Sequence, residues 1–178
     1  MADNPPSNPL RHIIENDADG NSFFSTAVPP SLGITMERGG GRQRLAYRTE
    51  QNPVTFNDND DLTRYEAALA SPQISLLGPN GGTSVWYNDL PPGAKVGMHR
   101  NASVDLIFVL MGEIELTLSN GEARVLGTGE MVVQRATLHA WRNPSETRWT
   151  RIAAVTMGCE ALVSEKGEVL GPQPPAAA

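Results

Sequence analysis

Short apolar segments separated by turn-forming residues fill the chain from residue 73 to residue 165. In chain order they are ISLL, TSVWYNDL, VGMH, DLIFVLM, EIELTL, EARVL, EMVVQ, HAWRN, TRIAAVTM and ALVSE. Each is rich in β-branched or other apolar residues and is bounded by Gly, Pro, Asn or Ser, which is typical of strands joined by turns. Many short strands in series without intervening helices predict an all-β sandwich or barrel rather than a parallel α/β sheet.

The N-terminal third of the chain has a less regular pattern. The stretch HIIENDADGNSFF carries an Asp-Gly pair between two apolar segments, which predicts a β-hairpin. The stretch NDNDDLTRYEAALAS, residues 57–71, is the one clear helix candidate, with Asp60 or Asp61 as its expected N-cap and Pro72 after its end. Its acidic start lacks the Gly and the distal Glu of a calcium loop, so we interpret it as the beginning of a helix.

The length of 178 residues suits one domain with its own hydrophobic core. Residues 1–9 are rich in Pro and Asn, and residues 166–178 end in GPQPPAAA, so both are predicted to be flexible tails. Between them, residues 10–72 are predicted to form an irregular arm with the helix, packing on a barrel made of residues 73–165.

Charge and composition narrow the range of partners. Fourteen Lys and Arg are dispersed among twenty Asp and Glu, for a net charge of −6, and no basic cluster suited to nucleic acid is present. No apolar run reaches the roughly 18 residues of a membrane span, and the first residues lack the apolar segment of a signal peptide. Cys159 is the only cysteine, so no disulfide can form within the chain. We therefore expect a cytoplasmic protein without a nucleic acid or membrane partner.

Two of the three histidines lie in segments that suggest a site. In GAKVGMHRNASVDLIFVLMG, His99 and Asn101 are two residues apart, so on one strand they face the same side. Asp105 is expected to open the next strand, and residues 107 and 109 should share its face. Gly112 is the expected turn into the following strand.

The second histidine segment is GTGEMVVQRATLHAWRN, which begins with a tight glycine turn. It contains Gln134, predicted to point inward, then His139, with Trp141 on the same face of its strand. In an antiparallel barrel, two such hairpins can bring His99, Asp105 and His139 to one interior wall.

This grouping of two imidazoles and one carboxylate supports two kinds of chemistry. The three groups can hold a divalent metal and leave open positions for water, oxygen or substrate. Without a metal, a histidine and an aspartate in an apolar cavity have shifted pKa values and can transfer protons. The sequence leaves a metal at His99, Asp105 and His139 open, and it does not separate iron, zinc, nickel and manganese. No organic cofactor is expected.

Both segments resemble the two sequence motifs of the cupin superfamily. The first motif is matched in spacing by Gly93, His99, Asn101, Asp105 and Gly112, although Asn101 replaces a second histidine and Asp105 replaces a glutamate. The second is matched by Gly129, His139 and Asn143, with Gln134 and Ala136 where proline and glycine are usual and a first gap one residue shorter. The stretches HRNASVDL and VQRATLHAW are especially similar to a branch of small cupins found beside natural-product enzymes.

The resemblance implies a double-stranded β-helix, the jelly-roll barrel of cupins, and a homodimer in which the arm packs on the partner's sheet. It also implies a small-molecule substrate. His99, Asp105 and His139 are the expected catalytic residues. The expected substrate-binding residues are Asn101, Gln134, Trp141 and Trp86.

Three functions remain open at this point. The first is an enzyme that performs non-redox chemistry on a small natural-product intermediate, such as decarboxylation, dehydration, isomerisation or cyclisation. The second is an iron(II)-dependent dioxygenase that uses two histidines and a carboxylate. The third is a non-catalytic barrel that binds a small molecule, and since fold alone does not fix function, the geometry of the site must decide.

Overall fold

The computed structural model describes residues 3–175, in which fourteen strands and one α-helix are present. The helix, α1, is Asp60–Ala70. The strands are β1 Ile14–Asn16, β2 Ser22–Phe24, β3 Met36–Arg38, β4 Gly41–Arg48, β5 Thr83–Leu90, β6 Lys95–His99, β7 Ser103–Met111, β8 Glu113–Leu118, β9 Ala123–Gly127, β10 Met131–Arg135, β11 His139–Arg142, β12 Thr150–Gly158, β13 Leu162–Val163 and β14 Val169–Leu170.

Two antiparallel sheets form the body of the protein. One has six strands in the order β10-β7-β12-β5-β4-β3, and the other has four in the order β6-β11-β8-β9. Five of the eight pairs of neighbouring strands in these orders are not consecutive in sequence, because the chain passes back and forth between the two sheets. This is the double-stranded β-helix, so the predicted all-β jelly-roll fold is confirmed.

Alternating burial along the strands sets which side chains face the interior. Along β7, residues 103, 105, 107 and 109 are buried and the residues between them are partly exposed, as expected for a strand with one face on a core. The same alternation along β12 buries residues 150, 152, 154 and 156. The core between the sheets contains Trp86 from β5, Ile107 from β7 and Trp141 from β11.

Gly112 makes the turn from β7 to β8, as the sequence predicts. Its φ of +76° lies in the left-handed region, and a Cβ there would lie 2.8 Å from the carbonyl oxygen of Trp149. Both observations require glycine, because any side chain would clash with backbone that cannot move aside.

Helix α1 starts and ends close to the predicted limits, but its expected N-cap is wrong. The N-cap is Asn59, in the left-handed conformation and without a capping hydrogen bond. Asp60 and Asp61 lie in the first turn instead, where the Asp60 carboxylate accepts a hydrogen bond from Arg64 and Asp61 accepts one from the Tyr47 hydroxyl. Their negative charges still suit the helix N-terminus.

The segment assigned to the arm contributes directly to the barrel. The predicted hairpin at residues 12–24 is present as β1 and β2. Strands β3 and β4 extend the six-stranded sheet, because β4 pairs with β5. Helix α1 packs on β4 through Tyr65, whose hydroxyl donates to the Leu45 carbonyl. The sheet therefore begins well before residue 73.

The N-terminal residues contact the sheet rather than extending away from it. Arg44 and Asp89 form a fully buried ion pair at 2.7 Å, and Arg151 adds two further hydrogen bonds to the same carboxylate. The Asn8 side chain accepts from Arg44, and the Ser7 carbonyl accepts from Arg151. This N-terminal segment thus covers a charged cluster on the sheet.

The C-terminal residues likewise make specific contacts. Strands β13 and β14 form a small hairpin, and Gln173 exchanges two backbone hydrogen bonds with Arg100, of 2.9 and 2.8 Å. The described parts of both expected tails therefore make specific hydrogen bonds with the rest of the protein. Residues 1–2 and 176–178 of the expected tails lie outside the described residues. No helix within residues 3–175 has the length and apolar character needed to cross a membrane.

Candidate functional site

A cavity of about 640 Å³ lies between the two sheets. This volume is in the range of ligand pockets in proteins, and the wall is mainly apolar with a few polar groups, as in most small-molecule sites. All seven residues predicted for the site from the sequence line it: His99, Asn101, Asp105, His139, Gln134, Trp141 and Trp86. The structure thus brings every one of them to the same cavity.

The two histidines lie side by side on the wall formed by the four-stranded sheet. His99 on β6 and His139 on β11 occupy directly opposite positions in the register of the strands. Their ring centroids are 4.3 Å apart, at an interplanar angle of 54°. Residues forty apart in sequence therefore form one pair of imidazoles.

Backbone hydrogen bonds fix the proton positions on both rings. Nδ1 of His99 lies 2.8 Å from the Gly97 carbonyl oxygen, and Nδ1 of His139 lies 2.9 Å from that of Thr137. A carbonyl oxygen only accepts, so Nδ1 must carry the proton and donate in each case. In the neutral rings, both Nε2 atoms therefore carry a lone pair and can accept a proton.

Burial keeps His139 neutral. The side chain is 2% exposed. Its pKa is lowered from 6.5 to about 4, mainly because burial disfavours the charged ring, with a smaller contribution from the charge of His99. The hydrogen bond to Thr137 opposes this shift. At neutral pH the ring is consequently an acceptor at Nε2.

Asp105 on β7 is a buried carboxyl group with one unpaired oxygen. Burial raises its pKa above the ordinary value, against smaller opposing contributions from Ser103, Asn101 and His99. The Oδ1 atom has no hydrogen-bond partner among residues 3–175. A buried, unpaired oxygen is costly, so this atom is available to a bound molecule.

Gln134 and Thr156 flank Asp105 on the inner face of the six-stranded sheet. Both are direct register partners of Asp105, Gln134 on β10 and Thr156 on β12. Thr156 donates to the Leu76 carbonyl at 3.0 Å. The Nε2 atom of Gln134 is buried and makes no hydrogen bond within the described part of the chain. Gln134 and Asp105 therefore form a pair of neighbouring polar groups with unused hydrogen-bonding capacity.

The remaining motif residues have distinct roles. The rings of His139 and Trp141 meet edge to face at 5.8 Å, while the Trp86 indole donates to the Leu76 carbonyl at 3.0 Å. Both tryptophans belong to the core as well as to the cavity wall. Asn143 is fully buried, and its amide donates to three backbone carbonyls, those of Leu90, Pro91 and Arg148. We assign this motif residue to holding loops together.

The sequence leaves open a metal held by His99, Asp105 and His139, and the described residues do not group these three side chains as a ligand set. Two imidazole Nε2 atoms are available, but no group of three or more His, Cys, Asp or Glu side chains within residues 3–175 is arranged to hold a metal ion. Asp105 therefore does not complete a three-ligand set with His99 and His139, and the family's additional histidine is replaced by Asn101. The chemistry proposed below uses side chains alone.

Several residues that line the cavity were not predicted from the sequence. They include Gln43 on β4, Asn88 on β5, Thr156 on β12, and Pro174 and Pro175 near the C-terminus. The alternating pattern of β12 places Thr156 on the inner face, but its position beside Asp105 depends on which strands pair. The two prolines follow Gln173, which is paired with Arg100, so the C-terminal segment forms part of the wall beside His99.

Acid is expected to destabilise the protein through His139. The unfolded chain binds a proton near the ordinary pKa of 6.5, whereas the folded chain binds it only near 4, so stability is full above 6.5 and falls as pH decreases through this window. The expected loss is about 3 kcal/mol. Urea unfolding at pH 7 and pH 4.5 measures it, and His139→Gln should remove this part of the pH dependence. The prediction is wrong if His139→Gln loses as much free energy of unfolding between pH 7 and pH 4.5 as the wild type does.

The fold and site together define a class: a jelly-roll barrel with an internal cavity of ligand size. The comparisons with known proteins agree, since a family model described as Cupin domain, Cupin_2, matches residues 86–155. The chain is 40% identical over 164 residues to "Phomopsin biosynthesis cluster protein C'" of Diaporthe leptostromiformis, covering 92% of this chain and 85% of that protein. The chain belongs to the cupin family.

A second relative carries a name that indicates chemistry. "Cupin-domain-containing oxidoreductase srdB" of Neurospora crassa is 33% identical over 155 residues, covering 87% of this chain and 76% of the relative. Among solved structures, KdgF from Halomonas sp. matches with a TM-score of 0.48 and 13% identity, over 72% of this chain and 87% of that one.

Proposed function

We propose that this cupin is an enzyme that abstracts and returns protons on a small natural-product intermediate, without oxidation or reduction. The substrate carries a carbonyl group, and the reaction passes through its enol form. Isomerisation, dehydration and cyclisation can proceed from an enol, and decarboxylation next to a carbonyl forms one. The names of relatives that belong to biosynthesis clusters support the natural-product context.

The observation that carries this proposal is that the imidazoles of His99 and His139 face the same cavity as the buried carboxyl group of Asp105, whose Oδ1 has no hydrogen-bond partner among the described residues. Because the Nδ1 atoms of His99 and His139 donate to carbonyls, only the Nε2 atoms can take a proton. His139 is the more deeply buried of the two and has a pKa of about 4. His99 is half-buried, so its ring is the more accessible of the two to a bound molecule. We assign His99 as the base that removes the proton next to the carbonyl.

Asp105 and Gln134 are the groups that act on the carbonyl oxygen. The raised pKa of Asp105 favours its protonated form, which can donate to a carbonyl. The free Nε2 of Gln134 provides a second donor beside it. As His99 takes the proton from carbon, Asp105 gives one to oxygen and the enol forms; the oxygen then returns its proton to Asp105, while His99 delivers its proton to a different carbon or to a departing hydroxyl group. The pair therefore stabilises the charge that develops on the oxygen.

Deuterium exchange tests the proposal without knowledge of the final product. The substrate is the intermediate that accumulates when the gene is deleted, and it is incubated with the purified protein in deuterium oxide. NMR should show deuterium incorporated next to the carbonyl, and Asp105→Asn should slow the incorporation by about 10²-fold or more. Product formation without any exchange of this position contradicts the proposed proton transfer.

An oxidoreductase reaction is the second candidate, and the printed names of several relatives favour it. Oxygen uptake with the same intermediate, together with metal analysis of protein purified without chelators, separates the two candidates. Turnover that requires oxygen and a bound metal supports the oxidoreductase. Turnover at full rate under anaerobic conditions supports proton transfer.

We also propose that two copies of the chain associate through the outer face of the six-stranded sheet. This face is apolar, with Leu106 and Phe108 on β7 partly exposed and Leu110, Met131 and Val133 43%, 47% and 54% exposed. A contiguous apolar sheet face of this kind is typical of an interface between protein chains. The symmetry of a dimer would place the same residues of both copies against each other.

A charge on this face is expected to separate the dimer. Val133→Glu should raise the dissociation constant of the dimer on the order of a hundredfold, because the carboxylate is buried without a partner. Val125→Glu is the matched control, since Val125 is 53% exposed but lies on β9 of the other sheet. Light scattering after size exclusion measures both variants. A monomeric wild-type protein, or a dimer that Val133→Glu leaves intact, contradicts the proposal.

A further inference from the structure

A second polar position lies in the cavity, well away from the histidines. Gln43 on β4 and Asn88 on β5 are direct register partners, and Gln43 Nε2 donates to Asn88 Oδ1 at 3.0 Å. Both residues line the cavity and are half-buried. Neither motif includes them, and the proposed proton transfer does not use them.

The pair keeps one hydrogen-bond donor and one acceptor free. An amide side chain has one oxygen and one NH₂ group, so the Gln43–Asn88 bond leaves the Asn88 NH₂ and the Gln43 oxygen available. If the two amides exchanged roles, one donor and one acceptor would still remain. Within residues 3–175, the two side chains make no other side-chain hydrogen bond. A half-buried pair with unused hydrogen-bonding groups on a cavity wall is suited to a ligand group that both donates and accepts.

The register of the sheet gives the distance between the two polar positions. Asp105 on β7 pairs with Thr156 on β12, and Thr156 pairs in turn with Ser84 on β5. Asn88 lies four residues beyond Ser84 on the same strand. At about 3.3 Å per residue, the separation along the strands is about 13 Å, and the two steps from β7 across β12 to β5, each about 4.8 Å, bring the distance between the two positions to about 16 Å. Trp86, Ala154 and Ile107 form the row between them, and all three are buried apolar residues. The cavity therefore has two polar ends joined by an apolar middle.

The chemistry of the distal end favours an uncharged group. The nearest cation along the strand, Arg42, is engaged elsewhere, 3.7 Å from Glu37 and over the ring of Trp149 at 5.5 Å. Arg38 and Lys95 also line the cavity, but both are exposed to solvent, which screens their charges. The Asp89 carboxylate is bound by Arg44 and Arg151. The amide pair thus provides neutral hydrogen bonds, which suit a hydroxyl, phenol or amide better than a carboxylate.

We propose that the Gln43–Asn88 pair is the distal anchor of the substrate, which is an elongated, mainly apolar molecule with a hydroxyl or amide at the end opposite its reacting carbonyl. This inference rests on the proposed function for the identity of the reacting end. It adds the substrate's length, its apolar middle and the neutral character of its far end.

Three rigid probes test the anchor directly by calorimetry. They are 4-acetylbiphenyl, its 4′-hydroxy derivative and its 4′-carboxylate, which share an acetyl carbonyl and an apolar body and differ only at the far end. Wild-type protein should bind the hydroxy probe about tenfold more tightly than 4-acetylbiphenyl, as expected for one or two hydrogen bonds in a buried site. The carboxylate should bind more weakly than the hydroxy probe.

Variants at the two ends separate this inference from the proposed function. Asn88→Leu and Gln43→Met preserve side-chain size, and each should abolish the preference for the hydroxy probe while leaving the affinity for 4-acetylbiphenyl unchanged, which also shows that the cavity is intact. His139→Ala changes the other end of the cavity, so this variant should keep the preference for the hydroxy probe over 4-acetylbiphenyl. The anchor is overturned if the wild-type protein binds neither neutral probe, or if it binds 4-acetylbiphenyl and its hydroxy derivative with equal affinity. It is also overturned if both amide variants keep the preference for the hydroxy probe, or if the carboxylate probe binds more tightly than the hydroxy probe. The proposed proton transfer is tested independently, by deuterium exchange.

Discussion

Replacement of His99 or His139 by alanine is expected to lower turnover of the accumulating intermediate by about 10²- to 10⁴-fold. The ring centroids are 4.3 Å apart, and both Nε2 atoms can accept a proton. Replacement of either histidine therefore removes one of the two proton-accepting groups of the cavity. Binding of the substrate should change far less, because the cavity wall is mainly apolar. Single-turnover kinetics and calorimetry on the same variants distinguish the two effects.

The third histidine provides the control for this experiment. His12 is exposed and does not line the cavity, so His12→Ala should retain the turnover of the wild type. Unchanged turnover in both His99→Ala and His139→Ala would refute the proposed mechanism. If turnover and binding are lost together, the histidines act in binding rather than in proton transfer.

The second large effect concerns stability, at the charged cluster beneath the N-terminal segment. Asp89→Asn should lower the free energy of unfolding by about 3–5 kcal/mol, since it leaves a buried guanidinium without its counter-charge. Both side chains of the Arg44–Asp89 pair are 0% exposed, and Arg151 also depends on this carboxylate. Urea unfolding at neutral pH measures the change.

An exposed ion pair serves as the matched control for Asp89. Arg64 and Asp60 are also 2.7 Å apart, but their side chains are 51% and 40% exposed. Water screens such a pair, so Asp60→Asn should leave the midpoint of unfolding close to that of the wild type. Equal midpoints for Asp89→Asn and the wild type would show that the buried cluster does not contribute to stability.

The sequence predicts the local structure well where a short-range signal exists. The Asp-Gly pair gives the hairpin of β1 and β2, Gly112 gives the turn between β7 and β8, and period-two burial identifies the inner face of β7. The N-cap of α1 was predicted wrongly, because Asp60 and Asp61 interact with Arg64 and Tyr47 instead of capping. Long-range side-chain partners override the local preference of an aspartate for a cap.

The candidate site also combines features that the sequence predicts with features that it does not. Spacing and resemblance identified His99, Asp105 and His139, and the structure places all three on one cavity. The sequence did not reveal that the carboxylate stays outside a three-ligand metal set. A difference of one methylene between Asp and Glu changes the reach of the side chain, and only the position of β7 relative to β6 and β11 determines whether the carboxylate meets the imidazoles.

By itself, the sequence determined the all-β class of this protein, its turns, and the residue types available for chemistry, because these depend on neighbours a few positions apart. Only the tertiary structure decided which strands pair, and therefore that Gln134 and Thr156 flank Asp105, that Gln43 meets Asn88, and that Pro174 and Pro175 line the cavity. Strand pairing joins residues far apart in sequence, and its register follows from the packing of the whole barrel rather than from any single segment.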